Sequence, residues 1–349
     1  MQARRVLVTG AGGFIGRWSV PALQRLGYEV HAVLSGTAGR DVPAQLEGAK
    51  IHCVDLLNDA QLDGLVREVK PSHLLHFAWI ATPGLYWNSA ENFRWLATSE
   101  RLLRAFHAHG GGRAVMAGSC AEYDWSRVEV CDELSSPLAN AKIAAPSGAD
   151  ASHHEAASHD AVASNDADAP SDAVSRYAAC KIALQRMLGD FGRREHLSTA
   201  WGRIFFQFGP HEHPNRLVPS VICNLLLNRE APCSHGRQIR SFLHVADVGE
   251  AFAAVLDSGL EGPVNIGSDE RVALADLVVR IARQIGRPEL LRLGARPAPP
   301  REPSLLVPEI HRLRDEALWR PRFTLNEALS DTIAWWRGRL LVRDHGEHE

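Results

Sequence analysis

Tyr177 and Lys181 stand four residues apart in Ser-Arg-Tyr177-Ala-Ala-Cys-Lys181. On a helix that spacing puts both side chains on one face. An unperturbed tyrosine hydroxyl ionises near pH 10. A neighbouring ammonium favours the phenolate, which makes the hydroxyl usable as an acid or base near neutrality. Ser119, in Ala117-Gly-Ser119-Cys-Ala-Glu-Tyr123, ends an apolar run and is placed to polarise the same substrate oxygen. Such a set moves a proton on and off an oxygen while carbon changes oxidation state.

The second feature is a glycine turn, Val6-Leu-Val-Thr-Gly10-Ala-Gly12-Gly13-Phe14-Ile15-Gly16. One glycine permits the tight turn, one lets the backbone approach a pyrophosphate, and one lets helix and strand pack closely. Gly10, Gly13 and Gly16 are given those tasks. The first amides of the following helix, about Phe14 and Ile15, would face the phosphates with the positive end of the helix dipole. The spacing is GxxGxxG, so the turn alone marks only a strand–helix junction; its place at the first such junction points to a dinucleotide. An acid at the end of the second strand would bind the ribose 2′-OH of NAD and repel the 2′-phosphate of NADP. That strand runs Val30-His-Ala-Val-Leu34-Ser35, followed by Gly36, Thr37 and Arg40, with no acid. Ser35 and Arg40 suit a phosphate, so NADP (NADPH) is favoured and NAD is the alternative.

These residues need a frame. Val6–Val8, Glu29–Leu34, Lys50–Val54, His73–Ala78 and Arg113–Ala117 read as strands, and Phe14–Leu26, Ala60–Val69 and Ala90–His107 as the helices between them. That alternation predicts right-handed βαβ crossovers and a doubly wound parallel α/β sheet of the Rossmann type. A helix at Ser175–Glu195 and a strand at Thr199–Phe206 follow. Residues 139–172 are Ala, Ser, Asp and His with almost no large apolar side chain, and are read as a flexible insertion. Beyond Gly209 helices are expected at Pro219–Asn228, Val245–Leu256, Leu274–Ile285 and Leu325–Arg337, a strand at Gly262–Ile266, and an extended loop at Ala295–Pro303. The division expected is a Rossmann domain over 1–206 and a smaller α/β substrate domain over 207–349, some segments of which return to the first sheet.

Composition removes other classes. With 45% hydrophobic and 23% charged residues and a net charge of −3, the 349-residue chain is globular and has no electrostatic case for nucleic acid. No apolar run is long enough to span a bilayer. The basic start MQARR is followed at once by glycines, so it is not read as a secretory leader. The cysteines form no CxxC pair and read as reduced thiols of a cytoplasmic enzyme. Despite 17 histidines there is no HExxH or comparable ligand set, so no metal site is expected.

Together, TGAGGFIG, Asp55-Leu56 after the third strand, His76-Phe77-Ala78-Trp79 after the fourth, Ser119 and Tyr177-x-x-x-Lys181 resemble the extended short-chain dehydrogenases/reductases, which include nucleotide-sugar epimerases, dehydratases and 4-ketoreductases. The resemblance covers nearly the whole chain outside the insertion. It implies that Asp55 contacts adenine, that Leu56, Phe77, Ala78 and Trp79 line the cofactor, and that Lys181 also binds the nicotinamide ribose. It implies a nucleotide-diphosphate sugar as substrate, with Tyr123, Arg240 (in Gln238-Ile-Arg240-Ser-Phe) and Arg301 contacting it. The other reading of Arg240 is a salt bridge with Asp247 or a neighbour. It further implies a homodimer through helices near 90–108 and 175–195.

Departures narrow the chemistry. The 4,6-dehydratases carry an Asp-Glu pair where this chain has Cys120 and Ala121. The GDP-fucose synthases use a Cys and a His where it has Ala121 and, nearby, Arg216. Many members have Asn at the position of Phe206. What remains is hydride transfer: NADPH-dependent reduction of a 4-keto sugar, or NAD-dependent C4 epimerisation. A reductase of a free ketone or aldehyde and a non-catalytic NADP-binding protein are the readings from other classes. Trp79, Trp87, Trp95 and Trp125, with Phe14, include candidates for a sugar-stacking wall, though core packing is the commoner role for such rings.

Overall fold

The structure, a computed structural model, describes residues 4–36, 42–140, 174–298 and 302–346. The strands in chain order are β1 (Arg5–Thr9), β2 (Glu29–Leu34), β3 (Lys50–Cys53), β4 (His73–His76), β5 (Arg113–Ser119), β6 (Val130–Cys131), β7 (Ser198–Ile204), β8 (Phe206–Phe208), β9 (Ala231–Pro232), β10 (Ile239–His244), β11 (Gly262–Ile266), β12 (Arg271–Ala273), β13 (Leu291–Arg292) and β14 (Leu305–Pro308). The α-helices are α1 (Gly16–Arg25), α2 (Asp59–Val69), α3 (Glu91–Ala108), α4 (Arg176–Glu195), α5 (Leu217–Leu226), α6 (Val245–Asp257), α7 (Leu274–Ile285) and α8 (Leu325–Gly346).

A seven-stranded sheet has the order β11-β7-β5-β4-β1-β2-β3, and every pairing in it is parallel. Strands buried on both faces read as continuous apolar runs, as Val6-Leu7-Val8 does. One face is covered by α1 and α6, through Val20, Leu23, Val248, Phe252 and Val255. The other is covered by α2, α3 and α4, through Leu62, Val66, Leu103, Phe106, Leu184 and Leu188. The helices stop where local chemistry says they should. Asn58 caps α2, accepting from the Gln61 amide, and Lys70 ends it in the left-handed region just before Pro71. Ser175 caps α4 by accepting from the Ala178 amide, and Gly286 ends α7 with φ +81°.

The strand order reverses between β1 and β4. In open α/β sheets that reversal opens a crevice at the carboxyl ends of the strands. The Gly10 turn, the Phe77–Trp79 segment and Ser119 all lie at that edge.

The chain beyond Phe206, joined by β6 from the first half, builds a smaller sheet, β12-β10-β14-β6 with β8 against β10, and a core of α5, α7 and α8 around Leu225, Leu277, Ile281 and Leu329. β11 and α6 leave this unit and complete the first. Three expectations change in detail. The strand expected at Thr199–Phe206 is two strands, β7 and β8, broken at Phe205. The expected final helix ending at Arg337 runs on to Gly346. The phosphate-motif segment around Arg240 is itself a strand, β10. The 139–172 insertion lies almost entirely outside the described residues, as do Thr37, Arg40 and Arg301. Among the described residues no helix is long and apolar enough to cross a membrane and no cluster suits a metal ion.

Candidate active site

The glycine turn is built as the spacing requires. Gly10 has φ +66°, and a Cβ there would lie 2.8 Å from the Ala78 amide nitrogen. A Cβ on Gly16 would lie 2.3 Å from the Gly10 carbonyl oxygen, so α1 packs directly on the turn. The turn meets the end of β4 because the Ala78 amide donates to Thr9 Oγ1 at 3.3 Å. This open, backbone-lined cradle fits a pyrophosphate. Gly13 is exposed, and Phe14 and Ile15 are half-buried beside it. The ring of Phe77 packs edge-on against Phe252, and the Leu56 side chain is in the core, so neighbouring backbone and Trp79 are what these segments offer a ligand. Asp55 is exposed; its carboxylate accepts the Leu57 amide, which holds the turn after β3. Ser35 is exposed at the end of β2.

Lys181 is nearly buried, at 4% exposure. Its ammonium donates to the Ala117 carbonyl at 2.9 Å and stands 3.8 Å from the centre of the Trp79 ring and 5.8 Å from that of Tyr177. Ala117 and Ser119 are on β5, so α4 and β5 bring the predicted trio to one strand end. Burial pushes the Lys181 amine down to about 7, against a partial lift from Glu122. Tyr177 is held by its surroundings: its amide donates to the Trp87 carbonyl at 3.0 Å, and its ring meets Tyr86 and Trp87 edge-on at 4.9 and 5.8 Å. Tyr86 and Trp87 are themselves buried, so Trp87 packs the Tyr177 ring, and Trp125 meets Trp87 edge-on at 6.3 Å. His76, between Thr9 and Ser99, is fully enclosed and pushed down to about 3 by burial and by Lys181, so it stays neutral beside the site.

The buried amine makes a pH-dependent prediction. Its native pKa lies below its unfolded value of 10.5, so the cost of charging it is fully present below about pH 7 and fades as pH rises toward 10.5. Lys181→Met is expected to melt about 5 °C or more above wild type at pH 6, with the gap closing by pH 10. A gap independent of pH in paired thermal melts would contradict it.

Two expected substrate contacts are placed differently. Tyr123 is buried, and its hydroxyl donates to Asn265 Oδ1 at 2.8 Å and accepts from Arg203 at 3.1 Å. The sequence motif shows its nearness to Ser119 but not which way its ring turns; it turns into the protein. Arg240 is 1% exposed, donating to Glu302 Oε1 at 2.9 Å and to the Ile239 carbonyl at 2.8 Å. A phosphate would have to compete with Glu302. Asp247, the other partner considered, instead accepts the backbone amides of Arg322 and Phe323. Phe206 lies against that guanidinium, 5.3 Å from its carbon to the ring centre.

The turn after Ser119 settles where its side chains go. Cys120 packs with Tyr123, Cys131, Phe205 and Leu306, and Ala121 with the aromatic rings around Tyr177. Glu122 is wholly buried and was not singled out by sequence. It accepts the Ser119 amide at 2.7 Å, Trp201 Nε1 at 3.0 Å and Arg203 Nε at 2.9 Å. Gly118 makes room for it: a Cβ there would lie 2.2 Å from Trp201 Nε1 and 2.5 Å from Glu122 Oε1.

A family model described as the NAD dependent epimerase/dehydratase family matches residues 6–267. The chain belongs to that family. Among curated members, human dTDP-D-glucose 4,6-dehydratase is 27% identical over 172 residues, 46% of this chain and 48% of that protein. The match therefore spans about half the length of such relatives. UDP-glucuronic acid decarboxylase 1 of Xenopus tropicalis is 23% identical over 97% of this chain and 73% of its own. Among solved structures, the Thermus thermophilus UDP-glucose 4-epimerase in complex with NAD superposes with a TM-score of 0.70, 25% identity, and coverage of 96% of this chain and 99% of that one. The Thermotoga maritima UDP-glucose 4-epimerase with UDP-glucose gives 0.76 at 18% identity, with coverage of 96% and 99%. The matched residues 6–267 span the glycine turn and Ser119, Tyr177 and Lys181, and also Cys120 and Ala121, whose side chains cannot serve as the acid and base of a dehydratase.

Proposed function

We propose that this protein is an enzyme that reduces a nucleotide-diphosphate 4-keto-6-deoxyhexose, taking NADPH as reductant. The carrying observation is the turn after β5. Cys120 and Ala121 are packed among apolar side chains, and the one carboxylate there, Glu122, is buried against Arg203. Eliminating water needs an acid and a base on the sugar; this turn offers neither. Transferring a hydride needs only a proton delivered to the carbonyl oxygen.

A bound nicotinamide would supply the hydride. Tyr177 gives its phenolic proton to the C4 oxygen, and Ser119 donates a hydrogen bond to the same oxygen. Lys181, half-ionised near pH 7, steadies the phenolate that remains. The glycine cradle holds the pyrophosphate with backbone amides. Ser35 at the end of β2, with no acid in that strand end, offers a hydroxyl and no negative charge to a 2′-phosphate. Arg240 and Arg301 would hold the sugar nucleotide's phosphates, Arg240 exchanging Glu302 for them.

Purified protein is expected to oxidise NADPH with an NDP-4-keto-6-deoxyhexose at least about tenfold faster than with simple ketones. Equal rates would mark a reductase of free carbonyls. Tight NADPH binding with no turnover of any keto-sugar nucleotide would mark a non-catalytic protein. A C4 epimerase is the second reading, favoured by the likeness to the NAD-bound Thermus enzyme. NAD that copurifies and never exchanges would decide for it.

A further inference from the structure

We propose that Glu122 is a positioning residue for the reaction, fixing Ser119 through its backbone amide and setting a buried negative charge behind Lys181 by way of Trp201. The inference rests on the hydride-transfer reading of the site for its kinetic consequence, but not for its structural one.

The geometry is specific. Oε1 of Glu122 takes the Ser119 amide at 2.7 Å, and the Ser119 hydroxyl in turn accepts the Ala121 amide at 3.2 Å. Ser119 is therefore tied at both its backbone and its side chain. Trp201 Nε1 donates to both carboxylate oxygens at 3.0 Å, and the same indole lies 5.9 Å from the Lys181 ammonium. Arg203 closes the pair at 2.9 Å and its side chain is 2% exposed, so the carboxylate is held as a charge inside the protein. Trp201 and Arg203 are two apart on β7 and so share one face of the sheet. Gly118 leaves the space in which carboxylate and indole meet. A buried ion pair is weak evidence for stability, since apolar residues of the same volume would often serve as well. One that binds the backbone of a catalytic serine has another use.

The electrostatics agree. Burial drives Lys181 toward its neutral form, and Glu122 is the largest influence acting the other way. Removing that charge moves the lysine further toward its neutral form, which weakens the cation beside the Tyr177 phenolate.

Glu122→Gln keeps an oxygen for the Ser119 amide and removes the charge. Two readouts apply, on uniformly folded protein. First, 13C-labelled lysine is followed by NMR in the protein without added ligand; Lys50, Lys70 and Lys142 are the other signals. The Lys181 titration is expected to move down by about one pH unit. Second, kcat for keto-sugar reduction is expected to fall roughly tenfold at pH 7, with KM for the sugar nucleotide within about twofold, and Glu122→Asp to recover part of the loss. If the single variant leaves Arg203 stranded and does not fold, Glu122→Gln with Arg203→Met removes both charges, and a Lys181 shift in the same direction but smaller is expected. An unchanged Lys181 titration and an unchanged kcat in a folded variant overturn the proposal. If wild type reduces no keto sugar but the Lys181 shift is seen, the reaction reading has failed and the positioning of the lysine stands.

Discussion

Tyr177→Phe is expected to lower kcat by about 10²- to 10⁴-fold, the usual worth of a general acid, while cofactor affinity stays within about twofold. The reason is that only the hydroxyl is lost. The ring remains edge-on to Tyr86 and Trp87, and the backbone remains tied to the Trp87 carbonyl. The aromatic surroundings thus make this substitution unusually clean: packing, helix position and the Ala117–Lys181 hydrogen bond are all kept. Stopped-flow reduction with saturating substrate measures the effect, and fluorescence titration with NADPH measures the cofactor. A variant that keeps a third of wild-type kcat would remove Tyr177 from the chemistry.

The second large effect is at Gly16. The Cβ of Gly16→Ala would meet the Gly10 carbonyl oxygen at 2.3 Å and its carbon at 2.9 Å. Both are backbone, so no flexible side chain can yield; α1 must lift from the turn. Overpacking of this kind costs about 1–3 kcal/mol, and moving the first turn of α1 also moves the amides meant for the pyrophosphate. Cofactor affinity is expected to fall by more than about 100-fold, since the loss of a few well-placed hydrogen bonds to a charged ligand at about 1.5 kcal/mol or more each reaches that size. Gly64→Ala is the control. It lies in α2 with nothing within 4 Å of its Cβ, and there alanine is expected to stabilise by about 0.5–1 kcal/mol without touching cofactor binding. Equal behaviour of the two variants in denaturant melts and cofactor titrations would contradict the assignment of the cradle.

The first half of the fold was legible because a parallel sheet buried on both faces writes itself as short apolar runs between amphipathic helices. β1 to β5 and α1 to α4 fall within a few residues of the expected bounds. The second half was less so. β6, β9 and β13 are two residues each, too short for a period-two pattern, and β10 was hidden by reading its arginine as a ligand rather than as a strand residue. For the site, spacing found Tyr177 and Lys181 because a helix makes four-residue separation a spatial statement. It could not give the direction of Tyr123, because a single residue after a turn has no partner in the pattern to fix its face. Nor could it find Glu122, whose partners Trp201 and Arg203 are 79 and 81 residues away in sequence and adjacent only once β5 and β7 pair. The rarity of buried charge explains why such a residue is easy to pass over: an acid in a polar-looking turn reads as exposed.

The central claim is one net hydride delivered to a sugar carbonyl with Tyr177 as the proton donor. It is tested most directly by giving the protein an NDP-4-keto-6-deoxyhexose and NADPH deuterated at nicotinamide C4, then locating the label by NMR and mass spectrometry. Reduction predicts one deuterium at sugar C4 for each NADPH oxidised, and none with Tyr177→Phe over the same time. No NADPH oxidised and the 4-keto sugar left unchanged, while an NDP-hexose carrying a C4 hydroxyl is inverted at C4 without taking up deuterium, would contradict it.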